Sequence, residues 1–495
     1  RRSGLLDTPS IILAGVIVYI VLMIGIGLWA SRKTHSVTEF AVAGRNLPLW
    51  LCTATVVATW FGGGTMIGAA GAAYEGGMLG VIADPFGGAL CLALVGLFFV
   101  RLFRRLRYFS FIEFVEQRFG LLAGLVASLA SVTSSLMWIA GMLVAFGVIL
   151  ETLTGVPMSV GIVGGVVVVV VYTSLGGMLA VALTDFLQFA IIAVGLVVLL
   201  IVVLIDVGGW SAIASQLPDY TFRMMPVEHS LERWLLYLRA WVIFGLADIA
   251  SQSLLQRAMS ARSERVAQNS FYLGSLLYLA FGMIPVMLGI IAIVTMPALE
   301  NAESVVPTLA LAHLHPVAIA MFVGALLAAI MSSADSALLA AATVTSTNLL
   351  PRLRRQPSDE LRLAVIRWAI PAGGALAVIA ALNARVVFDT VLDANMLILA
   401  AVIAPFILGV WWRKANRAGA LAAMVAGVTA WIVSSAAWPE LPGDLIGFGV
   451  SLSTMFLVTP LTQRIDPPRP VLDHDGREVA LENRLGVLRS GASSA

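Results

Sequence analysis

The chain is cut into long apolar runs with nearly all of its charge lying between them, and few folds tolerate that pattern. A run of about 20 apolar residues is the length of helix that crosses the hydrocarbon core of a bilayer. Backbone N–H and C=O groups find no water in that core, so a spanning segment is either a helix or a strand of a closed barrel. Continuous runs, in place of ten-residue alternation, exclude the barrel. Composition agrees: of 495 residues, 60% are apolar and 12% charged, against roughly 25% charged in soluble domains. A soluble globule of this size would expose large apolar patches. The chain therefore reads as an all-α integral membrane protein, which argues against a soluble enzyme, a disordered scaffold or a nucleic-acid binder.

Thirteen segments fit the pattern: 11–30, 48–74, 79–100, 122–150, 158–176, 181–206, 234–256, 270–296, 316–348, 364–384, 389–412, 418–436 and 445–462. The division between 158–176 and 181–206 rests on the turn at Ser174-Leu175-Gly176-Gly177 alone. The first run has no small-residue cleavage site, so it reads as a span and not as a signal peptide. A chain starting on Arg1-Arg2 without Met reads as trimmed. The positive-inside rule sets the orientation. With the N-terminus outside, the cytoplasmic stretches hold Arg32, Lys33 and Arg45, then Arg101, Arg104, Arg105, Arg107 and Arg118. Further cytoplasmic clusters are Arg257, Arg262 and Arg265; Arg352, Arg354, Arg355 and Arg362; and Arg413, Lys414 and Arg417. The tail adds Arg464, Arg469, Arg477, Arg484 and Arg489, whereas the opposite loops hold mainly Arg223, Arg233 and Arg385. Thirteen spans, N-terminus outside and C-terminus cytoplasmic, satisfy this asymmetry in a plasma (inner) membrane. The tail after 463 is short, polar and rich in proline (Pro467, Pro468, Pro470), and is expected to be loosely ordered.

Two stretches break the apolar monotony with chemistry. In Ala58-Thr59-Trp60-Phe61-Gly62-Gly63-Gly64-Thr65, three glycines fall in mid-span, each costing roughly 1 kcal/mol relative to Ala in a helix. Irregular backbone at that depth lines a cavity or is buried in protein, and its freed carbonyls can coordinate a cation. The alternative is close helix contact through small residues. In Met331-Ser332-Ser333-Ala334-Asp335-Ser336, helical spacing sets Ser332, Asp335 and Ser336 along one face. These are hard oxygen ligands for a small cation, and a carboxylate in lipid marks an ion path. Hydroxyls bonded back to their own helix would account for the serines but not for Asp335. Asp185 begins a span, as a coordinating acid or as an interfacial helix cap. Asp84 and Asp248 also fall in apolar segments, either neutralising an arginine such as Arg239 or facing a cationic solute.

At these residues the chain resembles the sodium/solute symporter family. The matches are Gly44-Arg45-Asn46-Leu47-Pro48, Leu175-Gly176-Gly177 leading to Thr184-Asp185-Phe186-Leu187-Gln188, Gln256-Arg257, Ser332-Ser333-Ala334-Asp335-Ser336 and Trp411-Trp412-Arg413-Lys414-Ala415-Asn416. The resemblance implies a leucine-transporter-type 5+5 inverted repeat with one extra N-terminal and two extra C-terminal helices. Its parts would be 1–47 (extra helix and cytoplasmic loop), 48–206 (first repeat), 207–233 (outer loop), 234–412 (second repeat), 413–463 (two further helices) and 464–495 (cytoplasmic tail). It also implies Na+ as the coupling ion, held by carbonyls of Ala58, Phe61 and Ala329 and by the hydroxyls of Ser332 and Ser333. A second sodium site, found in some members, would use Asp185, Ser332, Asp335 and Ser336. Of the family's branches, the choline transporters look most similar; they box a quaternary ammonium with aromatics. Trp60 and Trp138 fall at two box positions, but Ser251 replaces a third tryptophan and Gly77 or Met78 a fourth aromatic. These departures weigh toward a smaller or more polar amine, with Asp84 and Asp248 supplying countercharge.

The expectation is a sodium-coupled symporter working by alternating access, its solute held by Trp60, Gly63, Asp84, Trp138, Asp248, Ser251 and Gln252. An amino acid, monocarboxylate or sugar is the alternative solute, and a channel or transporter-like sensor the alternative protein. The expected partners are a small organic solute and the lipid bilayer, with no nucleic acid and no obligate protein partner. Cys52 and Cys91 lie in apolar stretches without disulfide or metal spacing. His35, His229, His313, His315 and His474 fall in loops or the tail, outside any HExxH pattern. With no nucleophile elbow or phosphate loop either, an enzyme is not expected.

Overall fold

A computed structural model describes residues 8–32, 34–383, 387–393 and 395–486 of the chain. Arg1, Arg2, Lys33, Arg385 and Arg489, which entered the topology argument above, lie outside those residues. Among the described residues the fold is helical throughout, with two isolated bridge pairs, Leu47 with Ala261 and Leu472 with Glu478, in place of a sheet.

By length and apolarity, seven helices can cross a membrane, or ten if each of three sharply bent helix pairs counts as one span. The bent pairs are Leu49–Trp60 with Gly64–Gly80 (58°), Ile82–Phe98 with Val100–Leu106 (55°), and Leu231–Ala250 with Gln252–Ser260 (49°). The helix Met158–Asp206 runs for 49 residues, which at about 1.5 Å per residue is more than twice the core thickness. It leaves helical geometry at Gly177, with φ 58° and ψ −157°. Only glycine adopts that conformation readily, and a Cβ there would sit 2.6 Å from the Phe40 carbonyl oxygen. The turn expected at 174–177 is thus one residue.

The helix Pro316–Val344 is the axis of the molecule. It packs against Thr8–Ser31, Leu49–Trp60, Leu121–Thr154, Met158–Asp206 and Asp359–Asn383. Within the span Met321–Leu353, 94% of the apolar window is buried, against 22% for Asp359–Asn383 and 28% for each of the last two helices. A helix surrounded by protein on all sides can carry polar side chains, and Ser332, Ser333, Asp335 and Ser336 are all buried on this one.

The arginine clusters expected on one side are joined to each other. Arg45 donates to the carbonyls of Arg107 and Tyr108, Arg101 and Arg105 pair with Glu264, and Arg352 pairs with Glu116.

The tail corrects an expectation. Its residues up to Gly486, though mostly exposed, are tied to the helices by hydrogen bonds. Arg105 donates to the carbonyls of Ala480, Glu482 and Asn483, and Tyr108 donates to that of Leu472. Arg484 donates to the Val410 carbonyl at 2.6 Å and lies 4.0 Å over the Trp411 ring. The strap that begins at the prolines has its backbone carbonyls bonded by Arg105 and Arg118 from the helices beneath. Composition cannot show such partners because they are remote in sequence.

Candidate functional site

The first broken helix opens at its glycines. The Phe61 N–H still reaches Val57, but the Gly62 N–H turns to the Trp60 carbonyl at 2.7 Å. The Ala58 carbonyl, which a continuous helix would engage through Gly62, is left facing the axial helix. There Ser332 Oγ and Ser333 Oγ lie 3.3 and 3.2 Å from it. Of the two alternatives posed for these glycines, close helix contact is the one their surroundings display. A Cβ on Gly62 would come within 2.3 Å of Ser333 Oγ, and one on Gly63 within 2.5 Å of the Ala145 Cβ. The glycines bring the two helices together at the point where one of them is broken.

Asp185 is buried in the interior of its helix, which removes the interfacial-cap alternative. Its Oδ1 accepts from Ser332 Oγ at 2.5 Å, and its Oδ2 accepts from Thr55 Oγ1. A hydroxyl has one proton, and the charge-assisted bond to the carboxylate is the stronger claim on it. The Ser332 proton therefore points at Asp185, and the oxygen lone pairs remain toward the Ala58 carbonyl. Ser333 Oγ remains the donor to that carbonyl, so two hydroxyl oxygens and a carbonyl from two helices converge at one buried point, a set of hard oxygens of the kind a small cation takes. Ala329 and Phe61, from which the family pattern takes further carbonyls, are buried on the same two elements.

Asp335 lies on the same axial helix, where Tyr172 Oη donates to its Oδ2 at 2.6 Å and Ser336 Oγ to its Oδ1 at 3.1 Å. Arg257 joins the two acids. Its Nη2 is 3.7 Å from Asp185 Oδ2 and donates to Ser336 Oγ. The four members of the expected second site are thus neighbours, with a guanidinium among them that sequence reasoning noted only as a motif.

The solute residues divide. Asp84 sits at a further break, the kinked segment Ile82–Gly87 well ahead of the 55° bend, with φ −143° and ψ 123°. Its carboxylate accepts from Thr65 Oγ1 at 2.6 Å and Tyr278 Oη at 2.7 Å. Trp60 packs edge-on to Tyr278, with ring centroids 6.3 Å apart. Asp248 occupies the third break, accepting from Asn395 Nδ2 at 2.7 Å. The two breaks touch, because a Cβ on Gly87 would lie 3.5 Å from the Gly245 nitrogen. Arg239, the candidate neutraliser, is engaged elsewhere by both oxygens of Asp444 at 3.0 and 2.8 Å. Among the ion pairs of the described residues, neither Asp84 nor Asp248 has a cationic partner. Trp138 is half-buried and packs edge-on to Phe244, just ahead of the third break. Ser251 ends that break, 3.0 Å from Ser253 Oγ.

Gln252 does not join them. Its Oε1 accepts from the Phe111 N–H and its Nε2 donates to the Phe109 carbonyl, each at 3.0 Å. Both ends of the amide cap the turn into the helix Phe111–Phe119, so it ties two elements together instead of facing a solute. Sequence reasoning missed Thr65, Tyr278, Tyr172, Thr55 and Asn395. Thr65 and Thr55, on either side of the Ala58–Gly64 break, carried a local hint, whereas Tyr172, Tyr278 and Asn395 arrive from distant parts of the chain.

A model of the sodium:solute symporter family matches residues 40–427. The high-affinity choline transporter 1 of Drosophila melanogaster is 28% identical over 432 residues, covering 83% of this chain and 68% of that protein. The sodium/glucose cotransporter of Vibrio parahaemolyticus is 26% identical over 457 residues, covering 83% and 82%. The solved structure of a Na+-coupled sialic acid symporter, in a substrate-bound outward-open state, superposes with a TM-score of 0.79 at 22% identity, covering 93% of this chain and 99% of that one. That likeness establishes the leucine-transporter-type fold. Broken helices meeting at buried oxygens, and a family match over most of the length, lead to one conclusion: the chain belongs to the sodium:solute symporter family, and is a sodium-coupled transporter of a small solute, not an enzyme.

Proposed function

We propose that this symporter imports a small organic cation, an amine of choline's size or smaller, with sodium seated between the first broken helix and the axial helix. The observation that carries the solute class is the pair of buried carboxylates, Asp84 and Asp248, at two touching helix breaks and bonded only to neutral donors. An isolated carboxylate in a low-dielectric interior is costly, and a cationic solute supplies what the protein leaves out. Trp60, edge-on to the Tyr278 that bonds Asp84, supplies an aromatic ring of the kind that attracts ammonium groups. Similarity to high-affinity choline transporters supports the same class. Gly63, Trp138 and Ser251 complete the proposed solute site, and Gln252 is left out of it.

The proposed sodium ligands are the carbonyls of Ala58, Phe61 and Ala329 with Ser332 and Ser333. A cation there pins the broken helix to the axial helix, which favours one of the two access states. Each inward-moving charge gains about 2.3 kcal/mol per 100 mV of membrane potential, so a cationic solute and its sodium are driven by the same field. We place the chain in the plasma (inner) membrane as thirteen spans, N-terminus outside. The repeats are 48–206 and 234–412, flanked by one helix before and two after.

The test is uptake into proteoliposomes across a panel of choline, smaller amines, neutral sugars and carboxylates, with sodium or potassium outside. Sodium-dependent uptake of amines is expected. Uptake or thermal stabilisation by anionic solutes alone would overturn the assignment.

A further inference from the structure

Arg257 is fully buried, and its position raises a question of charge. It sits on the short helix Gln252–Ser260 after the third break, anchored by an Nη1 bond to the Ser253 carbonyl at 2.8 Å. Its Nη2 reaches Ser336 Oγ and lies 3.7 Å from Asp185 Oδ2, while Ser336 in turn donates to Asp335. One guanidinium thus stands in a chain with two buried carboxylates. With both carboxyls ionised the cluster carries a single net negative charge, and an interior charge so left over needs a counter-ion. The place for it is on the far side of Asp185, where Ser332 turns its lone pairs toward the Ala58 carbonyl. A second sodium among Asp185, Asp335 and Ser336 would lie against the guanidinium, with like charges unscreened by water.

We propose that Arg257 is the resident cation of the Asp185–Asp335 cluster, a tethered charge in the place of a second sodium, so that each chain binds one sodium. Arg257 is a positioning residue: it acts through Asp185 and Ser336 and touches neither solute nor ion. The proposal rests on the sodium site described above, and the experiment separates the two.

Equilibrium binding of radiolabelled sodium to the purified full-length protein, without solute, gives the number of ions per chain. The wild type is expected to bind one, without cooperativity. Arg257→Gln is expected to bind two, and Arg257→Lys, which keeps a tethered charge, one. Asp335→Asn, which removes the surplus charge, should weaken the single site by about tenfold or more without changing the count. Two ions on the wild type would overturn this proposal while leaving the sodium site standing. No bound sodium at all would overturn both. Should Arg257→Gln fail to fold, the wild-type count and the Asp335→Asn affinity still decide.

Discussion

Replacing Gly62 with Ala tests the contact that holds the proposed sodium seat together. The new Cβ would stand 2.3 Å from Ser333 Oγ and 2.8 Å from both Ser333 Cβ and Met142 Sδ. Ordinary contact begins near 3.4 Å, so something must move by roughly an ångström. The broken helix and the axial helix are both buried at this point, and overpacking of such an interior costs about 1–3 kcal/mol. The easiest movement carries the Ser333 hydroxyl away from the Ala58 carbonyl, 3.2 Å from it in the native arrangement. That movement removes a sodium ligand, so the strain falls on ion binding. A loss of 1–3 kcal/mol corresponds to about 5- to 150-fold in affinity. The assay is the sodium dependence of thermal stability in detergent, with the sodium half-saturation of uptake in proteoliposomes as a second reading. Gly76→Ala is the control, because its Cβ would meet nothing within 4 Å and a helical Gly→Ala change is neutral or mildly stabilising. If Gly62→Ala kept the wild-type sodium affinity while folding normally, the seat would not lie between these two helices.

Three further outcomes follow from the geometry. Ser332→Ala should raise the sodium requirement more than Ser333→Ala, because it also strips Asp185 of a donor at 2.5 Å; about tenfold for the weaker variant is expected, and equal, unchanged sodium titrations would refute it. Asp84→Asn should abolish accumulation of amines while sparing sodium binding, and Tyr278→Phe, which removes one donor to that carboxylate, should weaken uptake by a smaller factor; amine uptake unchanged in Asp84→Asn would refute the countercharge role. The strap is pH-sensitive through His474, which bonds Glu113 Oε2 at 2.9 Å. That hydrogen bond raises the imidazole pKa above its ordinary 6.5. A raised folded-state pKa means the contribution is complete below pH 6.5 and is lost as pH climbs through the shifted value. Proteolytic cleavage of the tail should therefore be slower at pH 6 than at pH 9, and His474→Gln should remove the difference; equal cleavage of the wild type at both values would refute the switch.

Much of the proposed site was legible because its chemistry is conspicuous against lipid. Three glycines in mid-span and a carboxylate among serines have few structural uses at that depth, and the two stretches meet at Ala58 and Ser333. What stayed hidden was whatever another helix supplies. Asp84 and Asp248 stood out as buried acids, but nothing local to them names Thr65, Tyr278 or Asn395 as their partners. Gln252 fell in the right stretch and on the wrong side of it, because its amide is claimed by the Phe109–Phe111 turn. The third break, at 246–251, is likewise a tertiary fact. Its residues include no glycine or proline, and the chain bends 49° where Asp248 and the break around Asp84 come together.

By itself, the sequence determined the membrane class, the all-helical architecture and the oxygen-bearing stretches at which ion binding is proposed. Those properties depend on hydropathy, helical period and the cost of an unpaired polar group in lipid, all local quantities. Tertiary structure decided which charge meets which. Arg257 stands with Asp185 and not with Asp248, Arg239 goes to Asp444 and leaves Asp84 with neutral donors, and the tail is strapped down by arginines hundreds of residues away. Electrostatic pairing is a matter of a few ångströms between groups remote along the chain. Only packing of the helices sets those distances, and the charge balance of the site is a consequence of that packing.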